Sequence, residues 1–236
     1  MGGRNARRPM DAAHARFAEV AARVRHVDDP AERGARPEAA RLQGRKARAT
    51  ARTAMTYDQI WLIGFSGTGK SRLVRALAAA LDWEAVDLDK LIEARAEQDI
   101  PAIFRTRGEA AFRELESAVL EETSQRSRIV VATGGGAVLA ERNREAMHRR
   151  GFVACLDARP ETIVERLQKA GPEASERPLL HGGDPIAKII EIKSARQPLY
   201  AQSDFIIQTD DMTPDQVTHQ ILLAFRERTA VAGSTA

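Results

Sequence analysis

The chain has 236 residues, with 36 Lys and Arg against 33 Asp and Glu, a net charge of +3, and 43% hydrophobic residues. That is enough for one or two domains with a real core. No apolar run approaches the roughly 18 residues of a membrane span, and 5% aromatics leaves few rings for stacking single-stranded bases. Cys155 is the only cysteine, which excludes an intramolecular disulfide and a cysteine-built zinc site and points to a reducing cytoplasm.

The charge is uneven. Residues 1–54 carry 12 Arg and one Lys against six acids, while the remainder carries 23 basic residues against 27 acidic ones. The positive balance therefore belongs to an Ala- and Arg-rich arm. Its lack of a hydrophobic stretch argues against a secretory signal, and its six acids and absence of Ser argue against a transit peptide. Within it, Asp11 to Val27 has an N-cap residue and Phe17, Val20, Val24 and Val27 at helical spacing. The arm is expected to be disordered or partly helical. A solvated tail, a nucleic-acid- or partner-binding arm, and an upstream extension before a start at Met55 all fit it. The folded domain is expected over 55–229, with a disordered tail at 230–236.

From residue 58 onward, short apolar segments rich in β-branched residues alternate with helix-length stretches. The expected strands are Ile60–Phe65, Glu84–Leu88, Ile129–Thr133, Phe152–Leu156 and Phe205–Thr209. Expected helices include Ser71–Leu81, Ala110–Thr123, Pro160–Ala170 and Pro185–Ala195. This pattern predicts an α/β fold in three layers: a five-stranded parallel sheet flanked by helices.

The first strand runs into Gly64-Phe65-Ser66-Gly67-Thr68-Gly69-Lys70-Ser71, which satisfies G-x-x-x-x-G-K-[ST]. Such a loop turns backbone N–H groups around a phosphate, and the following helix aims its positive end at the anion. Lys70 supplies a cation for the β- and γ-phosphates, and the Ser71 hydroxyl can ligate Mg²⁺. A nucleoside triphosphate is the expected ligand, though GTPases, motor ATPases and small-molecule kinases all share this loop.

Three further features narrow the choice. Asp87 and Asp89 stand two apart; at a strand end they would face one way, one toward hydrated Mg²⁺ and one toward an acceptor hydroxyl, although an acidic turn capping the next helix has the same sequence. Arg113 and Glu116 are three apart on an expected helix, where the acid would orient the guanidinium; a surface charge is the alternative. Gly134-Gly135-Gly136 follows the third strand, as suits a ligand lying on bare amides, or else a loose turn.

With these features, and with Arg177-Pro178-Leu179-Leu180 and Arg196-Gln197-Pro198-Leu199-Tyr200, residues 58–229 resemble the shikimate kinases, P-loop kinases of the nucleoside-monophosphate-kinase type. The resemblance implies ATP-dependent phosphorylation of the 3-hydroxyl of shikimate with Mg²⁺, by a cytoplasmic monomer of aromatic amino acid biosynthesis. It implies catalytic roles for Lys70, Asp89 and Arg177. Gly67, Thr68, Gly69, Lys70, Ser71 and Arg72 would hold ATP, with Arg166 and Arg177. Asp89, Phe112, Arg113, Gly134, Gly135, Gly136 and Arg196 would hold shikimate, the two arginines gripping its carboxylate and Phe104 walling the pocket with Phe112. Ser71 and Asp87 would hold the metal. Arg177 would ride on a mobile lid, Gly171–Gly183, a stretch of suitable polar, Pro- and Gly-containing composition. The stretch Thr209–Pro214 departs from the family pattern, with Asp210 and Asp211 where basic residues are usual, which unsettles the adenine contacts beyond Arg166.

Cys155 reads as a buried small hydrophobe. Trp61 and Trp83 read as packing, His181 as solvent-facing, and His14, His26, His148 and His219 show no metal-ligand spacing. Two other functions remain open: a kinase of another hydroxy-acid such as gluconate, and a ligand-sensing regulator with a kinase-like domain joined to a DNA-binding arm. Against the regulator, 54 residues with one helix cannot supply a helix-turn-helix module and linker. No nucleic acid or membrane partner is expected for the kinase domain.

Overall fold

The computed structural model describes residues 57–170 and 184–233. The basic arm, Met55, and the expected lid with Arg177 and His181 lie outside the described residues.

Five strands form one parallel sheet: β1 (Gln59–Ile63), β2 (Glu84–Asp87), β3 (Ile129–Ala132), β4 (Gly151–Asp157) and β5 (Phe205–Gln208), in the order β2-β3-β1-β4-β5. Each lies within two residues of its expected bounds. Between and after them run helices α1 (Lys70–Leu81), α2 (Leu88–Ala96), α3 (Ile100–Thr123), α4 (Glu141–Arg150), α5 (Pro160–Lys169), α6 (Pro185–Tyr200) and α7 (Pro214–Gly233), and a 3-10 turn at Ala137–Leu139.

Side chains alternate across β1, so it feeds both cores. Trp61 and Ile63 join Val131, Val153 and Cys155 on the face that packs against α2, α3, α4 and the end of α6. Ile60 and Leu62 join Val130, Ala154 and Leu156 on the face covered by α1 and α7, through Leu73, Leu77, Ile221 and Phe225. Strands buried on both faces explain why the segments read as continuous apolar runs. Each fully buried Ile or Leu contributes about 1.5–3 kcal/mol of transfer free energy. Among the described residues no helix is long and apolar enough to cross a membrane.

The structure departs from the sequence reading in four places. First, β2 stops at Asp87, and Leu88 opens α2 at once. Asp87 and Asp89 are therefore not two carboxylates on one strand end: Asp87 precedes the helix and Asp89 lies in its first turn, where a negative side chain suits the helix dipole. Second, α3 begins ten residues before Ala110. Asp99 caps it by accepting from Ala102 N at 2.6 Å, and Pro101 occupies the first turn. Gly108, at φ 79° and ψ 170°, breaks the helical path midway, so the element is two helices end to end. Third, α6 continues past Ala195 to Tyr200 despite Pro198. Fourth, α7 runs to Gly233, four residues into the expected tail.

Cys155 is 1% exposed in the middle of β4. Burial pushes its thiol up to about 12, assisted by Asp157. The thiolate is the reactive form, so native protein is expected to resist thiol reagents at about pH 8 and to take up one equivalent once unfolded. Labelling of the folded protein at the rate of an exposed thiol would contradict this burial.

Candidate active site

The carboxyl ends of β1, β3 and β4 lie side by side, and the loops leaving them build the site. Gly64 ends β1 at φ 128°, and a methyl group there would lie 2.1 Å from the Leu156 carbonyl oxygen of β4, so only glycine fits. Gly67 and Gly69 also take positive φ as the loop turns into α1. Thr68 is buried and its hydroxyl donates to the Phe65 carbonyl at 2.8 Å. Lys70 folds back over the loop, its ammonium donating to the carbonyls of Gly64 and Phe65, both at 2.8 Å. Ser71 and Arg72 are exposed beside it.

A cleft of about 470 Å³ opens above this loop. Ser66, Lys70, Ser71, Asp89, Gly135 and Arg166 all line it, so α2, the turn after β3, and α5 converge on the phosphate loop. Asp87, half-buried at the end of β2, is not among the lining residues. Among the described residues no three His, Cys, Asp or Glu side chains gather as a metal cluster.

The turn after β3 is the floor on which the rest meets. A methyl on Gly134 would lie 2.8 Å from Glu116 Oε1 and 2.9 Å from Asp89 Oδ1. One on Gly135 would press on Ser66 N at 3.3 Å, and one on Gly136 would strike Arg113 Nη1 at 2.5 Å. The three glycines thus leave room for two carboxylates, the phosphate loop and a guanidinium. Arg196, on α6, donates from Nη1 to the Gly135 carbonyl at 2.8 Å, and Tyr200 Oη donates to the same oxygen at 3.2 Å. Arg113 and Arg196, 83 positions apart in sequence, therefore flank two adjacent glycines.

Arg113 is held by neighbours on its own helix. Its Nη1 pairs with Glu116 at 2.7 Å, and its Nη2 pairs with Glu109 at 3.1 Å. Its guanidinium carbon sits 5.1 Å from the centroid of the Phe112 ring, which itself packs at 4.7 Å on Phe104. Burial pulls the guanidinium pKa down, but Glu116 and Glu109 outweigh it and the net direction is upward. Glu116 is 1% exposed. Burial lifts its carboxyl above the usual carboxylate range and Asp89 pushes the same way, against Arg113 and Arg196. Its Oε1 has no hydrogen-bond partner and points at the glycine floor.

A second, smaller cleft adjoins the loop, lined by Thr68, Gly69, Arg72, Arg166, Met212 and Pro214. Arg166 is held by Thr209, donating to its hydroxyl at 2.9 Å and its carbonyl at 2.7 Å. Asp210 and Asp211 do not line this cleft; both pair with Arg159, Asp210 accepting also from the Arg159 amide at 2.8 Å. The sequence reading did not include Ser66, Thr133, Tyr200 or Lys193 among the site residues. Thr133 lines the cleft and donates to the Leu62 carbonyl, while Tyr200 and Lys193 share the inward face of α6 with Arg196. The spacing 189, 193, 196, 200 was the available signal.

This fold and loop define a P-loop kinase. A shikimate kinase family model matches residues 66–226. The curated shikimate kinase of Symbiobacterium thermophilum is 41% identical over 170 residues, covering 72% of this chain and 97% of that protein. That of Bordetella pertussis is 45% identical over 154 residues, covering 65% and 71%. Among solved structures, the Acinetobacter baumannii shikimate kinase in complex with shikimate superposes with a TM-score of 0.68 at 34% identity, covering 73% of this chain and 95% of that one. The chain belongs to the shikimate kinase family.

Because folding raises the proton affinity of Glu116, the stability linked to that proton is complete below the carboxyl's unfolded range. It is lost as pH rises through the higher native value. Relative to Glu116→Gln, which cannot ionise, the parent protein is expected to lose stability as pH goes from about 4 to about 8. Urea unfolding at several pH values measures the difference; a parent that gains on the variant over that range would mean that Arg113 outweighs burial.

Proposed function

We propose that the chain is an ATP-dependent shikimate 3-kinase, transferring the γ-phosphoryl group of ATP to the 3-hydroxyl of shikimate. The observation that carries this reading is that Arg113 lies against Gly136 and Arg196 against Gly135, in the glycine turn whose Gly135 also lines the cleft above the phosphate loop. Two guanidinium groups complement one carboxylate, and their planar forks match it better than ammonium groups would.

Shikimate lies on the glycine floor with its carboxylate between Arg113 and Arg196 and its ring against Phe112. Asp89, held in the first turn of α2 over Gly134, accepts from the ring hydroxyls and orients the one attacked, and its carboxylate is the acceptor for the proton released. The backbone amides of Gly67, Thr68 and Gly69 surround the phosphates. Lys70 exchanges loop carbonyls for phosphate oxygens, and Arg72 and Arg166 flank the nucleoside. Arg177 would add positive charge over the γ-phosphate. Phosphoryl transfer asks for alignment and charge neutralisation more than covalent chemistry, and these residues supply both.

Mg²⁺ fits the donor set. Ser71 offers an exposed hydroxyl on the cleft, and Asp87, at the carboxyl end of β2 two strands away, offers a half-buried carboxylate that would act through water. Two hard oxygens suit an ion that keeps its waters and takes its other ligands from the substrate phosphates. When bound, it neutralises charge on the β- and γ-phosphates. On this reading the enzyme is a monomer and works in the cytoplasm, whose reducing conditions suit the lone thiol.

Coupled ADP release with shikimate, with gluconate and without acceptor tests the reading; turnover on gluconate but not shikimate would reject it. Arg113→Ala is expected to weaken shikimate binding by about 2–5 kcal/mol, the usual loss when one partner of a buried charge pair is removed. An unchanged KM for shikimate would refute the carboxylate clamp. Asp89→Asn is expected to depress kcat far more than ATP affinity, and equal loss of both would move that residue to the metal.

A further inference from the structure

Helix α6 turns four residues inward at helical spacing: Ile189, Lys193, Arg196 and Tyr200. Ile189 packs in the small apolar cluster with Phe65, Ala158, Ile163 and Leu167. Arg196 and Tyr200 reach the Gly135 carbonyl. Lys193 does neither, yet it is 6% exposed. Burying an ammonium group is costly unless it is paired and hydrogen-bonded. Both conditions are met: its Nζ lies 2.6 Å from Asp157 Oδ1 and also donates to the Ala158 carbonyl.

Asp157 is the last residue of β4 and is itself fixed on every side. Its Oδ1 accepts from the Ala158 amide at 2.9 Å, and its Oδ2 accepts from Gln208 Nε2 at 2.9 Å. Its carbonyl takes the amide and hydroxyl of Thr209, the residue that holds Arg166. β4 also abuts the start of the phosphate loop through Leu156 and Gly64. The ammonium of Lys193 thus ties α6 to the sheet edge that carries the loop, one helical turn before Arg196.

We infer that the Lys193–Asp157 pair is the positioning element that sets the rotation and axial placement of α6, so that Arg196 meets the Gly135 carbonyl and the acceptor's carboxylate. Lys193 touches no substrate; it acts through Arg196. This rests on Arg196 being half of the carboxylate clamp. An apolar residue at 193 would hold the helix against the sheet through area alone, which is not directional and permits small rotations and slides. The pair, with a second bond to Ala158, admits one placement. A shift of about 1 Å at a positioned group can cost up to about a hundredfold, and because Arg196 grips the carboxylate and not the reacting hydroxyl, the cost falls on acceptor binding.

The test compares Lys193→Met, Arg196→Met and the double variant, with separate KM values for shikimate and ATP, and circular dichroism and thermal unfolding to verify folding. Lys193→Met is expected to raise the KM for shikimate about tenfold, with the KM for ATP and kcat within about twofold. In the Arg196→Met background the same change is expected to add nothing, because the group being positioned is gone. An unchanged KM for shikimate in a folded Lys193→Met protein would overturn the inference, as would an equal rise with and without Arg196. If Arg196→Met by itself left that KM unchanged, the clamp reading would fall and the inference with it. If Lys193→Met does not fold, Lys193→Gln, which keeps a donor for the Ala158 carbonyl, is measured in the same way. Failure of both to fold would make the pair a requirement for folding and so overturn a positioning role.

Discussion

A side chain at any of the three positions following β3 would occupy space that another group already fills. Gly134 faces two carboxylates, Gly135 the phosphate loop, and Gly136 a guanidinium. Repulsion between overlapping atoms rises far more steeply than any attraction that could offset it. The absence of Cβ atoms here therefore governs the approach of α2, α3, α6 and the first loop. The backbone itself then becomes a binding partner: the Gly135 carbonyl takes donors from Arg196 and Tyr200. Glycine at such a place costs backbone entropy in the unfolded chain. The packed helices around it, and the bond from Thr133 to the Leu62 carbonyl just before it, hold the turn in one shape.

The sheet order explains how distant residues come to share this floor. β1 sits between β3 and β4, so the phosphate loop leaves the sheet next to the glycine turn on one side and next to Asp157 on the other. Crevices of open α/β sheets form at such points, beyond the carboxyl ends of the strands. Arg113 arrives from the helix before β3 and Arg196 from the helix before β5, with 82 residues between them. Neither position is meaningful without the topology. Once it is in place, each arginine is held by an interaction of its own, Glu116 and Glu109 for one and a main-chain oxygen for the other.

Much of this was legible in the sequence, for identifiable reasons. Strands buried on both faces print as apolar runs, and a loop that must wrap phosphate prints as fixed glycines. Elements with weaker signals were misread. Leu88 follows Asp87 without a break residue, so the start of α2 was absorbed into the strand and the two carboxylates were given one orientation. The helix expected from Ala110 is preceded by another, Ile100 onward, that meets it at the kink of Gly108. Glu116 was visible as a neighbour of Arg113, but its burial was not, since charge spacing alone does not distinguish a solvated face from an interior one. Lys193 was hidden for a similar reason: a lysine in a helix ordinarily snorkels to water, and only the position of Asp157 in the fold reveals its partner.

The back-folded ammonium of Lys70 has a thermodynamic consequence for the loop around it. Carbonyl oxygens at a tight bend repel one another, and a cation spanning those of Gly64 and Phe65 relieves that repulsion. An incoming phosphate then competes for a group that is already satisfied, so its attraction to the ammonium is registered only as the difference between two sets of contacts. The ammonium thus contributes to the loop's own shape as well as to the charge it offers a phosphate.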